Sequence, residues 1–301
     1  MPYDCGTRSM DCGSAPAMTN LEHNDDFLTD RLPMPQIPAM LLAAGRGERM
    51  RPLTDTTPKP LLCVQGQPLL QWLLQALVQG GVSHAVINTA WLGEQIEAAF
   101  GSAFAPAQTQ RRLPICYSHE GRDFGAALET AGGIARALPL LCPQDAPLGY
   151  DGIFWLLAGD VFAPDFVFDA AAVASFAASD KLAHIWLVPN PAHNPRGDFG
   201  LSAASAAGIG LALNLPTEAD QPRYTYSTIG LYRKALFEAP WCDIPTGNPQ
   251  GMKTPLAPLL RKAMDNGRVS AELYVGSWTD VGTPSRLAQL NQNRDGLLKA
   301  P

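Results

Sequence analysis

A chain of 301 residues, 46% of them apolar, is ample for a sizeable core and could form one large α/β domain or two small ones. Its formal net charge of −6 excludes a broad nucleic-acid surface, so any basic patch is local. No apolar run reaches the roughly 20 residues that cross a bilayer, and the N-terminus lacks the basic-then-apolar order of a secretion signal.

Residues 1–37 carry Gly, Ser, Asp, Asn and Pro without a sustained period and are expected to be a disordered lead, with the folded domain running from 38 to 301. The domain opens on Ala39–Ala43, an apolar run short enough to be a buried strand. Gly45 and Gly47 follow, where missing side chains let a backbone close on a ligand. Arg46, Arg49, Arg51 and then Lys59, between two prolines, supply forked guanidinium donors and one compact point charge. A strand emptying into such a loop reads as a cradle for a polyphosphate. No third glycine opens a helix there, and no Gly-Lys-Ser/Thr occurs, so it is neither a Rossmann fingerprint nor a Walker loop.

Pro68 can occupy the first turn of a helix running to about Val78, closed by Gly80-Gly81. A strand over 84–89 and a helix over 94–100 follow. That alternation favours a parallel sheet with helices on both faces, where ligands gather at the carboxyl ends of the strands. Residues 102–113, 122–127 and 142–152 read as insertions without an assigned role. A third strand over 115–118 leads through His119-Glu120-Gly121 to Leu128-Glu129-Thr130-Ala131-Gly132-Gly133, small residues that can open a helix near a base or phosphate. Ile153–Ala158 is the most apolar strand and should be central, and it ends in Gly159-Asp160.

Another strand, 184–188, precedes a polar loop over 190–200. Residues 224–232 alternate like a half-buried strand. A helix over 255–264, a strand over 269–275 and the turn Trp278-Thr279-Asp280-Val281-Gly282-Thr283 lead into a last helix ending near Asn293. The six scattered cysteines form no Cys-x-x-Cys pair, which fits reduced thiols and a cytoplasmic protein. The five histidines show no zinc spacing, and no Ser/His/Asp or Cys/His nucleophile constellation can be assembled.

The order of strand, Gly-Arg-Gly-Glu-Arg-Met-Arg-Pro-Leu-Thr and Pro58-Lys59-Pro60, with Trp-x-Asp-Val-Gly-Thr far downstream, closely resembles the signatures of the sugar-nucleotide pyrophosphorylases, enzymes that join a nucleoside triphosphate to a sugar 1-phosphate. The resemblance implies a Rossmann-like α/β fold of the GT-A nucleotidyltransferase kind, with a mixed, mostly parallel central sheet. It implies that Arg49 grips the departing pyrophosphate and Lys59 the α-phosphate or sugar phosphate, and that Asp160 and Asp280 hold Mg2+. Ala43, Ala44, Gly45, Arg46, Gly47, Gly132 and Gly159 would surround the nucleotide, with Glu120 accepting the imide N–H of uracil. Asn88, Glu129, Asp198, Thr228 and Gly230 would contact the sugar.

Within the family the nearest likeness is to short uridylyltransferases of peptidoglycan recycling, acting on UTP and a muramic sugar 1-phosphate. No hexapeptide repeat follows residue 283 and no Glu-Lys-Pro triplet occurs. Ala131 departs from the family's glycine. Another hexose 1-phosphate as acceptor, and a nucleotide-sensing relative without turnover, remain open. The expected state is a monomer or small homo-oligomer, with neither nucleic acid nor membrane as partner.

Overall fold

Short apolar runs that alternate with amphipathic helices can bury both faces of a sheet only by layering, and this chain does so. The computed structural model describes residues 37–107, 109–143, 152–205 and 208–292. Residues 1–36 of the expected lead and most of the 142–152 insertion lie outside the described residues, whereas Ile37, placed in the lead, is buried in the core beside β1.

In chain order, β1 (Ala39–Leu42) is followed by a small hairpin of β2 (Cys63–Val64) and β3 (Gln67–Pro68), helix α1 (Leu69–Gln79), β4 (Ala85–Thr89) and α2 (Gly93–Phe100). Next come β5 (Ala103–Phe104), β6 (Leu113–His119), α3 (Glu120–Phe124), α4 (Glu129–Leu141), β7 (Ile153–Ala158), β8 (Val161–Phe162) and α5 (Ala170–Ala177). The rest is β9 (Ala183–Val188), β10 (Phe199–Leu201), β11 (Gly210–Leu213), β12 (Arg223–Arg233), α6 (Leu256–Asp265), β13 (Val269–Leu273), β14 (Thr279–Asp280) and α7 (Pro284–Gln292).

One sheet takes the order β10-β11-β13-β9-β12-β7-β1-β4-β6-β5. The run β7-β1-β4-β6 is parallel, as the strand–helix alternation requires. β12 enters between β7 and β9 antiparallel to both, which makes the sheet mixed. The 102–113 segment is not only a surface insertion, since β5 pairs with the start of β6 and lengthens the sheet edge.

Because side chains alternate along a strand, consecutive residues of the central strands feed opposite cores. Met40, Val86, Phe154 and Leu156 pack under α4 and α6, where Ile134, Leu138, Leu259 and Leu260 meet them. Leu41, Ile87, Trp155 and Leu157 face the other way, against Leu70, Leu74 and Leu77 of α1 and Ile96 of α2. α1 buries Leu70, Leu73, Leu74 and Leu77, a spacing of three and four that lines one helical face. Strands buried on both sides read as continuous apolar runs, which is why β1 and β7 carry no polar residue. Among the described residues, Cys63, Cys116 and Cys242 are free thiols, and no helix is long and apolar enough to cross a membrane.

Candidate active site

The register brings three strand ends to one level, with Leu42 of β1 opposite Asn88 of β4 and Ala158 of β7. Gly159 closes this edge. Its N–H donates to the Leu42 carbonyl at 2.8 Å, and a Cβ there would stand 2.8 Å from the same oxygen. Asp160 is therefore delivered immediately beyond the end of β1, beside the glycine-rich loop.

That loop is braced from within. Thr54 is fully buried, and its hydroxyl donates to the Gly47 carbonyl at 2.8 Å. Gly47 has a φ of 70°, and a side chain there would meet Thr54 at 3.0 Å. The Arg46 guanidinium lies 3.8 Å over the Trp91 ring and donates to the Thr54 carbonyl and to Asp55. Trp91 donates to the same carbonyl at 2.9 Å. Arg46 is not among the residues lining the cavity; stacked on an aromatic face and bonded to Thr54 and Asp55, its guanidinium holds the loop. Arg51 likewise pairs with Glu48 and Asp55 at the surface. Arg49 lines the cavity and forms no ion pair with a described residue.

Pro58 and Pro60 fix the backbone on either side of Lys59, whose ammonium pairs with the Asp160 carboxylate. β8 and β14 pair directly after Asp160, setting Asp280 opposite Val161, and the Val281 N–H donates to the Asp160 carbonyl at 2.8 Å. The two aspartates, distant in sequence, become backbone neighbours through that ladder. The Asp160 carboxylate is matched by Lys59, and the Asp280 carboxylate by Arg286 and by His193 at 2.8 Å. Oxygen donors in small number are the kind that Mg2+ takes. Among the described residues no group of three or more His, Cys, Asp or Glu side chains forms a metal cage.

A cavity of about 620 Å³ opens over these strand ends. Ala43, Ala44, Gly45, Gly47, Arg49, Lys59, Gly159 and Asp160 line its charged end. Phe199, Tyr226, Leu256 and Leu260 form an apolar wall at the other. Glu129 and Thr228 line it as well, with φ values of 59° and 61°. Left-handed backbone is costly for a side chain, above all a β-branched one, and such residues cluster where binding demands their geometry. At Thr228 the cause is a bulge in β12 between Tyr226 and Gly230.

Other expected contacts fall elsewhere. Gly230 lies inside the sheet, where a Cβ would be 2.8 Å from the Tyr232 ring and 3.0 Å from the His184 carbonyl. Gly132 is not on the cavity either, because its N–H donates to the Thr254 carbonyl and a Cβ would be 2.4 Å from the Met252 oxygen. Asp198 sits behind the apolar wall, accepting from the Tyr226 N–H at 2.9 Å and so fixing the strand that presents Tyr226.

Asn88 and Glu120 do border the cavity, yet their polar atoms are engaged internally. Asn88 Oδ1 accepts from the Ala43 N–H at 2.7 Å, and Asn88 Nδ2 donates to Glu120 Oε1 at 2.6 Å. Glu120 Oε2 accepts from the Leu128 N–H at 2.7 Å. The Glu120 carboxyl is fully buried, and desolvation raises its pKa against the opposing pull of those hydrogen bonds. Each Glu120 oxygen thus already accepts one internal hydrogen bond, and in this structure the carboxyl ties Asn88 to the Leu128 amide.

Sequence reasoning missed His193, Arg286, Trp91 and the apolar wall. His193 lies in the polar loop that length and composition single out, but nothing in the local pattern of α7 marks Arg286 as a partner of Asp280.

Residues 38–295 match the family model described as nucleotidyl transferase. The chain is 44% identical over 258 residues, covering 83% of itself and 95% of the relative, to the N-acetylmuramate alpha-1-phosphate uridylyltransferase of Neisseria meningitidis serogroup B. A crystal structure of a putative glucose-1-phosphate thymidylyltransferase from Bacillus anthracis superposes with a TM-score of 0.65 at 20% identity, over 86% of this chain and 96% of that one. The UTP-bound UGPase from Acinetobacter baumannii superposes at 0.64 and 14% identity, over 85% and 92%.

Proposed function

The chain belongs to the nucleotidyl transferase family, and from that premise we propose that it transfers a uridylyl group from UTP to N-acetylmuramate α-1-phosphate, forming UDP-N-acetylmuramate and pyrophosphate in peptidoglycan recycling. The observation that carries the reading is the Lys59–Asp160 pair at the carboxyl ends of β1 and β7, lining a cavity large enough for a nucleotide sugar, with Asp280 on the strand paired just beyond Asp160. The likeness over 95% of the length of a relative with that activity supports the acceptor.

In the reaction a phosphate oxygen of the sugar 1-phosphate attacks the α-phosphorus of UTP. A P–O bond forms there as the bond to the bridging oxygen of pyrophosphate breaks. No protein nucleophile is needed, so catalysis rests on positioning two polyanions and stabilising the charge that develops. Main-chain groups of Ala43, Ala44 and Gly45 border the nucleotide, Arg49 meets the leaving pyrophosphate, and Lys59 meets the reacting phosphates. Asp160 and Asp280 are the residues that would hold Mg2+, which when bound neutralises phosphate charge. Glu129 and Thr228 face the sugar, and the apolar wall suits an acceptor with lactyl and acetyl methyl groups better than a bare hexose.

Pyrophosphate release measured with a panel of nucleoside triphosphates and sugar 1-phosphates, with and without Mg2+, tests the reading. UTP with N-acetylmuramate α-1-phosphate should give the highest kcat/KM. Preference for glucose or mannose 1-phosphate would reassign the acceptor, and tight nucleotide binding without turnover in any pair would mark a sensor.

A further inference from the structure

Three hydrogen bonds in a row tie together the two main-chain walls at the nucleotide end of the cavity. The row starts at a fixed donor, the Ala43 N–H, and ends at another, the Leu128 N–H. Between them stand two side chains, Asn88 and Glu120, which are 3% and 0% exposed. Neither terminal donor can change its sign, so both outer positions must be acceptors, and the inner pair must be one donor and one acceptor. An amide beside a carboxylate satisfies this order.

Two amides cannot. With Gln at position 120, whichever way either amide turns, two N–H donors meet at Ala43, at Leu128 or between the side chains. With Asp at position 88 instead, two carboxyl groups face each other, and the inner donor is restored only by a proton held between them. On the α4 side the backbone packs close on this pair, since a Cβ on Gly133 would stand 2.5 Å from Glu120 Oε1 and 3.0 Å from Asn88 Nδ2. A buried donor without a partner loses its full hydration, so the walls would have to move apart.

We propose that Glu120 is a positioning residue that, through Asn88 and the Leu128 amide, holds the Ala43–Ala44 and Leu128–Glu129 walls at the spacing that binds the nucleotide. The inference rests on the reading of this cavity end as the nucleotide site. Glu120 touches no reacting atom in this scheme. Its effect falls on nucleotide affinity, because the backbone it secures borders the base and ribose.

The same logic supplies a reversal. Exchanging the two groups, with the carboxylate at position 88 and the amide at position 120, restores every bond. The carboxylate accepts from the Ala43 N–H and from the side-chain amide, whose oxygen accepts from the Leu128 N–H. The test compares E120Q, N88D and the N88D/E120Q double variant with the wild type, in the full chain, by calorimetric UTP binding and steady-state kinetics. E120Q should weaken UTP binding about tenfold or more, with KM for UTP rising more than kcat falls, and N88D should do so once the pH is high enough to strip the shared proton. The double variant should recover to within about threefold of wild type. Wild-type affinity in E120Q, or a double variant no better than the worse single one, overturns the proposal.

Amide hydrogen exchange at Ala43 and Leu128 separates this from failure of the nucleotide reading. If the wild type binds no UTP, that reading falls, while exchange that is faster in E120Q and slow again in the double still supports the brace. Exchange unchanged in E120Q removes it. Should E120Q fail to fold, a double variant that folds and binds supports the pairing, and one that does not refutes it.

Discussion

Lys59→Met deletes one charge and keeps most of the aliphatic stem. Lys59 and Asp160 side chains retain 13% and 29% exposure, between a surface pair and a buried one. At an effective dielectric near 20, unit charges about 4 Å apart attract by about 4 kcal/mol, and desolvation and side-chain ordering return most of that, leaving a net contribution of about 1–2 kcal/mol. For a chain of this size, 1 kcal/mol moves Tm by about 2–4 °C, so the variant should melt no more than about 8 °C below wild type. Turnover responds differently, because a preorganised cation at developing phosphate charge contributes about 3 kcal/mol to the transition state, or roughly a hundredfold. A coupled pyrophosphate-release assay at saturating UTP and sugar 1-phosphate, beside a thermal melt, reads both. Turnover within threefold of wild type would remove Lys59 from the reacting centre, and activity lost only in step with unfolding would make its role structural.

Asp280→Asn should raise the Mg2+ concentration for half-maximal turnover about tenfold or more; an unchanged magnesium titration means that Asp280 is no ligand. Gly132→Ala would drive a methyl to 2.4 Å from the Met252 carbonyl oxygen, and overpacking against backbone should cost about 3 kcal/mol, seen as a lower urea midpoint. An unaltered midpoint would show that the 252–254 segment shifts freely. Burial, then the nearby Glu97 carboxylate, pushes the Tyr117 phenol from 10 up to about 12. An acid whose folded pKa is raised contributes stability that is full below pH 10 and is lost between pH 10 and 12. Melting curves of wild type and Tyr117→Phe should therefore converge across that window, and a constant gap would contradict the assignment.

The order of residues alone determined the longer strands of the sheet, the glycine-rich loop and the presence of two remote signatures, because apolar period, glycine freedom and proline rigidity act locally. Short strands such as β5, β10 and β11 carried too little pattern to be read. β1 and β7 needed no partner to be recognised as buried runs, and Pro58-Lys59-Pro60 announced a fixed cation before any neighbour was known. Where each charge points was decided by tertiary structure. Arg46 and Arg49 sit three residues apart in one loop, yet Trp91, 45 residues beyond Arg46, claims the first and leaves the second on the cavity. Glu120 read as a base acceptor, and the fold gave each of its oxygens an internal donor, Asn88 and the Leu128 amide. Asp160 and Asp280 became neighbours only when β8 and β14 paired. Propensity is a property of a few consecutive residues, whereas a buried polar atom must find its partner wherever the fold has put one, and that choice is made by packing across the whole sheet.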